Sequence, residues 1–513
     1  MFILRIFLVL VIAILSGERR VYAQQDQDNL SYKGFNVILI AINNIGAEHM
    51  SLYGYRRDTN PKFKVWAKDA LIFENAYSPA SWTLPVITTV FTALNPYTHK
   101  VMDRYFENTL STDIKTLPQV LAYNGYATAA FTGGLDDNRI FGHMRGFSQT
   151  DANPSFTGFA VTLKQARKWL ARNSKNKFFL FVHGYDAHPP FTPPRKFRGV
   201  FSDTKGKDIT IKPGFTYRGF RKFDGRYQAY CITREDPLHP NMEHAQVDPG
   251  DIFPRIVLTQ DDVDYLTDLH DETILSVDSQ VTKFLGSLDK NLLKKTIIVV
   301  FSEHGEMFAK HGRFGRVGTI RGTLYDDVVH IPLLVKIPGL KNRRITGLVQ
   351  LADIMPTILD LLDIPFLRRL QGRSLVPLIK HDLAVNDYVY SGAAYNFAGG
   401  PKRPFSSYPS INESIRNQDW KLIHEIFFSA DTKGKFSDNT SLKVQEESFE
   451  LYDLNADPNE LNNVRSAYPE KTKELTALLA EWSQACRVSG QFNASTQRIP
   501  DKMIKDAREH GYW

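Results

Sequence analysis

Asn36-Val-Ile-Leu-Ile-Ala-Ile42 is a continuous apolar run of strand length, and two amides, Asn43 and Asn44, follow it at once. A run without polar alternation is what a central parallel strand requires, because helices cover it on both faces. Similar runs lie at 127–132, 178–183 and 296–301, and helical patterns lie at 116–123, 161–172 and 261–288. Strands alternating with helices predict an α/β fold, a mostly parallel sheet flanked by helices on both faces. In such sheets functional groups collect outside the carboxyl ends of the strands. Three such ends carry chemistry: Asn43-Asn44, the segment His183 to His188, and Ser302-Glu303-His304.

The chain has 513 residues, 42% hydrophobic and 12% aromatic, which excludes a disordered or collagenous chain and predicts more than one compact core. Its 63 Lys+Arg against 56 Asp+Glu leave a net charge of +7. That mild excess favours anionic partners. No nucleic-acid-binding module is visible, so nucleic acid is not an expected partner. The two cysteines, Cys231 and Cys486, cannot make a disulfide-rich scaffold or a four-cysteine zinc site. A Cys231–Cys486 disulfide after export stays open.

Arg5 followed by the apolar run Ile6 to Leu15, and then Val21-Tyr22-Ala23, reads as a signal peptide over 1–23. The run falls short of the ~20 residues of a membrane span, so membrane attachment is expected only if the signal stays uncleaved. A secreted or periplasmic protein follows. The α/β unit is expected over 34–365. Within it, 195–258 breaks the rhythm as an insertion rich in Arg, Lys, Phe and Tyr (Tyr217-Arg-Gly-Phe-Arg-Lys-Phe223). It reads either as a basic substrate-shaping loop or as an insertion whose aromatics pack on the body. A smaller α+β subdomain over 366–490 and a tail over 491–513 complete the chain.

Four segments share unusual chemistry. Asn43-Asn44 offers two amide oxygens, and Ser81-Trp-Thr-Leu-Pro85 places hydroxyls at a helix start. His183-Gly-Tyr-Asp-Ala-His188 carries two imidazoles and a carboxylate, and Glu303-His-Gly-Glu306, with His311 beyond, clusters acids and imidazoles. Oxygen and nitrogen donors at several strand ends suit a divalent cation beside an activated nucleophile. Thr83 reads either as that nucleophile or as a helix-start residue kept for its side-chain hydrogen bond. Asn43 and Asn44 read as metal ligands or as amides bonding strand-end backbone, and His311 as a site residue or part of a solvated surface.

In this order the segments resemble the sulfatase family of the alkaline phosphatase superfamily, from about Phe35 to Gln484. Phe73-Glu-Asn-Ala-Tyr77 with Trp82-Thr-Leu-Pro85 is similar to the approach to the family's nucleophile. His188-Pro-Pro-Phe-Thr-Pro-Pro194 is similar to its histidine loop, and Glu303-His-Gly-Glu306 with Leu324-Tyr-Asp-Asp327 to its last metal segment. Gln371-Gly-Arg-Ser-Leu375 and Leu451-Tyr-Asp-Leu-Asn-Ala-Asp-Pro-Asn-Glu460 are similar to C-terminal signatures.

The resemblance implies a divalent cation, Ca2+ or similar, at Asn43, Asn44, Glu303 and His304, where the family has two aspartates, an aspartate, and an asparagine or histidine. It implies that Thr83 stands where the family has a cysteine oxidised to formylglycine. Neither Cys231 nor Cys486 occupies that place, so formylglycine cannot form there. It implies substrate contact for His188 and for Arg321, the latter where the family has a lysine or histidine, and it places His311, a candidate catalytic residue, with the last metal segment; Arg321 reads otherwise as part of a solvated surface. Glu303 brings the one carboxylate of the implied ligand set, so cation affinity falls short of a three-aspartate site by several kcal/mol at a modest effective dielectric. The expected function is an exported hydrolase of sulfate or phosphate esters working through Thr83. Its rival is an inactive homologue that binds an anionic ligand such as a sulfated glycan.

Overall fold

The computed structural model describes residues 31–102, 109–152, 157–215, 220–223, 226–230, 255–315, 323–366, 370–395, 410–428 and 444–489. The expected signal peptide, the tail over 491–513, Cys231 and Arg321 lie outside the described residues. In chain order the first strands are β1 (Asn36–Ile42), β2 (Leu71–Tyr77), β3 (Ala127–Thr132), β4 (Gln149–Ala152) and β5 (Phe178–Gly184). The segment 195–258 contributes β6 (Phe220–Phe223), β7 (Arg226–Tyr230) and β8 (Arg255–Leu258). Then come β9 (Thr296–Ser302), β10 (Arg313–Phe314), β11 (Leu333–Lys336) and β12 (Arg343–Gln350), followed by β13 (Val389–Tyr395), β14 (Ser410–Arg416), β15 (Trp420–Phe428) and β16 (Val444–Asp453).

The main sheet has the order β12-β2-β11-β9-β1-β5-β3-β4. Only β11 runs against the rest, antiparallel to both β2 and β9, so the sheet is mixed but mostly parallel, as the apolar runs predicted. The alternation of buried side chains explains why β1 is apolar throughout after Asn36. Val37, Leu39 and Ala41 face the helices Thr83–Thr92 and Ile354–Leu361, while Ile38, Ile40 and Ile42 face Phe159–Asn173 and Gln260–Gly286. Every residue of β1, β5 and β9 is buried. At ~25 cal/mol per Å² of apolar surface removed from water, these two cores supply most of the driving force for the fold.

The described residues of the insertion form strands that its weak periodicity did not suggest. Its strands join β10 in an antiparallel sheet, β10-β6-β7-β8. Phe215, Tyr227 and Leu258 pack with Val263, Leu266 and Leu269 of the helix Gln260–Gly286. Phe215 and Tyr227 therefore pack on the body. At the carboxyl end of the chain, the antiparallel sheet β13-β14-β15-β16 is covered by the helix Pro469–Ser489 through Leu475 and Leu479. Lys421 of β15 ties this sheet to the α/β body with a 2.7 Å contact to Asp326, and it meets Glu460 of its own region at 2.7 Å. Cys486 is a buried free thiol beside Asn95 and Gln371. No helix among the described residues is long and apolar enough to cross a membrane.

Candidate active site

Strand order decides what meets. The neighbouring strands β9, β1, β5 and β3 end side by side, and they carry, in that order, Glu303-His304, Asn43-Asn44, His183 and Asp136-Asp137. The register pairs Ile42 with both Ser302 and Gly184, which sets Asn43 and Glu303 level with each other. Ser302 pins the two loops by bonding the carbonyls of Ile42 and His304 and accepting from the Ile45 N–H at 3.1 Å. A Cβ at Gly305 would stand 2.1 Å from the Asp327 carbonyl oxygen and 2.9 Å from the Gly46 Cα, so only glycine lets these loops close together.

Thr83 is the first residue of the helix Thr83–Thr92, whose cap position, Trp82, makes no side-chain capping bond. Leu84 is helical although it precedes Pro85; a proline in the first turn loses an N–H that has no intrahelical acceptor anyway. The Thr83 hydroxyl does not cap this helix. It donates instead to Glu303 Oε1 at 2.8 Å. Asn43 Nδ2 reaches Glu303 Oε1 as well and lies 3.4 Å from Thr83 Oγ1. Asn44, in the left-handed region at φ 66°, donates to the Ala187 carbonyl at 3.1 Å, and its own carbonyl is bonded by His270. Asn43 thus joins the site cluster, while one arm of Asn44 holds backbone.

Glu303 is the hub. His304 Nε2 lies 3.1 Å from its Oε1, and His183 Nε2 lies 3.4 Å from its Oε2. Each imidazole is anchored at its other nitrogen: His304 Nδ1 on the Gly305 carbonyl at 2.9 Å, and His183 Nδ1 on Asp137 Oδ2 at 2.8 Å. All four of these side chains are fully buried. Burial opposes charge on Glu303, but His183, His304 and the Thr83 hydroxyl hold its carboxyl below the usual range. Burial likewise opposes charge on His183, yet Asp137 and Glu303 keep its imidazole above its ordinary value. Asp137 is pushed up by burial, which outweighs the attraction of His183. Asp137 is absent from the sequence reading, and His183 enters it as a strand-end imidazole without an assigned role. The signal for His183 was there, an imidazole at a buried strand end; that for Asp137 was a carboxylate just past β3.

The other expected site residues fall in different surroundings. His188 is half-buried, with Nδ1 against the Pro189 carbonyl and its ring 6.0 Å from that of Tyr185, which in turn lies 4.6 Å from His183. His311 stacks flat on Tyr325 at 3.7 Å and faces Asp327 at 3.8 Å. Asp327 also receives Lys310, which bonds Glu48. The reading of His311 as part of a solvated surface is corrected: its side chain is only 8% exposed.

Asn43 Oδ1 and Asn44 Oδ1 are buried without a hydrogen-bond partner, and Glu303 Oε2 and His304 Nε2 have only charge contacts, to His183 at 3.4 Å and to Glu303 Oε1 at 3.1 Å. Buried polar atoms ordinarily find a hydrogen-bond partner. Lone pairs left over on two amides, a carboxylate and an imidazole are a donor set that fits a divalent cation. Two further groups have converging ligand atoms, His49-His270-Asp271 and His311-Asp327-Glu460. Both are already compensated by cations of the chain, Arg57 on Asp271 at 2.8 Å and Lys310 and Lys421 on Asp327 and Glu460.

Comparison with known proteins bears on the family and the fold. The family profile described as Sulfatase matches residues 35–364, and that described as N-sulphoglucosamine sulphohydrolase, C-terminal, matches 319–485. Arylsulfatase K of Gallus gallus is 34% identical over 209 residues, 39% of this chain and 34% of that protein, so the match spans about a third of that relative. An N-acetylglucosamine-6-O-sulfatase of Bacteroides thetaiotaomicron is 24% identical over 509 residues, 87% of this chain and 86% of the relative. A protein solved in complex with its substrate D-glucosamine-2-N,6-O-disulfate shares the fold at a TM-score of 0.65 and 20% identity, covering 89% of this chain and 99% of that one. With residues 35–364 matched by the family profile and the fold shared over 89% of the chain, the chain belongs to the sulfatase family.

Proposed function

We propose that the chain is an exported hydrolase of sulfate or phosphate esters in which the Thr83 hydroxyl, not an oxidised cysteine, is the nucleophile. The observation that carries this reading is the 2.8 Å hydrogen bond from Thr83 to the fully buried Glu303. A threonine hydroxyl is a weak nucleophile until a neighbouring group draws on its proton, and Glu303 is placed to do so. Thr83 opens a ten-residue helix whose first N–H groups and dipole favour an anionic ester beside it. Asn43, Asn44, Glu303 and His304 would hold a divalent cation, and when bound that ion supplies charge stabilisation for the ester oxygens. His188, on the loop after β5, faces the substrate, and Arg321 is proposed as a further anion contact. Sulfated amino sugars are the proposed substrate class, the class named for the sulfatase relative and for the substrate of the solved neighbour. Export rests on Arg5 and the apolar run that follows it.

The test is turnover of an aryl sulfate, a phosphate monoester, a phosphodiester, a phosphonate and a sulfated glucosamine by the purified chain across a series of divalent cations. Turnover that disappears in Thr83→Ala supports the reading; no turnover with any of them overturns it. The rival reading, an inactive homologue binding a sulfated glycan, is favoured by Asn43, which turns its amide nitrogen onto Glu303. Calorimetry with sulfated oligosaccharides at low salt tests it, and absence of binding rejects it.

A further inference from the structure

We propose that Asp137 and His183 form a positioning dyad that aims the Glu303 carboxylate at Thr83. Resting on the reading of Thr83 as nucleophile, this assigns work to two residues outside the expected site. The chain of contacts is continuous. Asp137 Oδ2 meets His183 Nδ1 at 2.8 Å, His183 Nε2 meets Glu303 Oε2 at 3.4 Å, and Glu303 Oε1 accepts from Thr83 at 2.8 Å. The two oxygens of Glu303 therefore face different groups, Oε2 in a 3.4 Å charge contact with His183 and Oε1 presented to the hydroxyl.

A carboxylate on a glutamate has three side-chain torsions to fix, and nothing covalent fixes them here. His183 can fix them because its own ring is immobilised. The Tyr185 ring packs against it at 4.6 Å, and Tyr185 is seated so closely on Gly134 that a Cβ there would lie 2.1 Å from its ring. Gly134 and Asp137 belong to the same turn after β3, so one loop both seats the tyrosine wall and supplies the anchoring carboxylate. Removing such an outer partner typically costs 10- to 100-fold in affinity or activity while the groups that touch substrate stay in place. A pair that merely neutralised two buried charges would need no third carboxylate in line with it.

The experiment uses the full chain and the variants His183→Gln, Asp137→Asn, His183→Gly and Glu303→Gln. Steady-state hydrolysis should show kcat lowered 10- to 100-fold in His183→Gln with KM changed less than about threefold, because the substrate contacts are untouched. Added imidazole should restore part of the rate of His183→Gly and none of that of Glu303→Gln. An unchanged kcat in His183→Gln, or a fall confined to KM, overturns the dyad. A folding cycle combining His183→Gln with Glu303→Gln supplies a second measurement independent of turnover. Non-additive shifts in unfolding midpoint are expected for residues in contact, and additivity overturns the proposal. If wild type hydrolyses nothing, the hydrolase reading falls and the dyad is decided by that cycle alone.

Discussion

Replacing Glu303 by aspartate restores the residue expected at this place in the sulfatase family, yet in this chain it should harm. The Thr83–Glu303 hydrogen bond is 2.8 Å long, and the shorter side chain withdraws the carboxylate by about 1.5 Å, one carbon–carbon bond. The contact opens to roughly 4 Å, past the range in which a hydrogen bond forms. A hydrogen bond to a charged group contributes ~1.5–3 kcal/mol, and tenfold in rate corresponds to ~1.4 kcal/mol, so kcat/KM should fall by about 10- to 100-fold. The contact from His183, already 3.4 Å, should open as well. Continuous spectrophotometric hydrolysis of an aryl ester, compared at matched cation concentration, measures the change. A Glu303→Asp enzyme as fast as wild type, or faster, would refute the idea that the extra methylene places the carboxylate on Thr83.

Thr83→Ser keeps an oxygen in place and should retain turnover within about tenfold, checked by the same hydrolysis assay. Leu39, fully buried in β1, should cost ~2–5 kcal/mol of unfolding free energy when replaced by alanine, read by denaturant titration. Gly305→Ala forces a Cβ against the Asp327 carbonyl and should lower both the denaturation midpoint and turnover, since Glu303 and His304 ride on that loop. Asp353, fully buried with three donors on it, is pushed up by burial to about 6. The folded state therefore holds a proton that the unfolded state has already lost, and this group's contribution to stability is present below about pH 4 and is lost as pH rises to about 6. The stability difference between wild type and Asp353→Asn should shift against wild type by about 3 kcal/mol over that window, measured by urea unfolding at both ends.

The runs at 36–42, 127–132, 178–183 and 296–301 were legible because strands buried on both faces leave no polar alternation. β2 was not, because Glu74 and Asn75 are only partly buried and interrupt its apolar pattern. The strands of 195–258 were hidden because that stretch is rich in Arg and Lys and carries little apolar periodicity. Thr83, Asn43, Glu303 and His304 could be named as one site from the order of motifs, and they do meet. Asp137 could not. Its place beside His183 follows from β3 and β5 being neighbours, a fact of topology that no local pattern carries. His311 lies in sequence reach of Glu303, and its left-handed backbone turns it onto Tyr325 and Asp327, a placement that no local pattern carries either.

Acid-quenched mass spectrometry of the enzyme during turnover tests the central claim most directly. A sulfuryl or phosphoryl group carried on the peptide containing Thr83, and absent in Thr83→Ala, is the predicted result. Sustained turnover with Thr83 never modified, or turnover that survives Thr83→Ala, would contradict it.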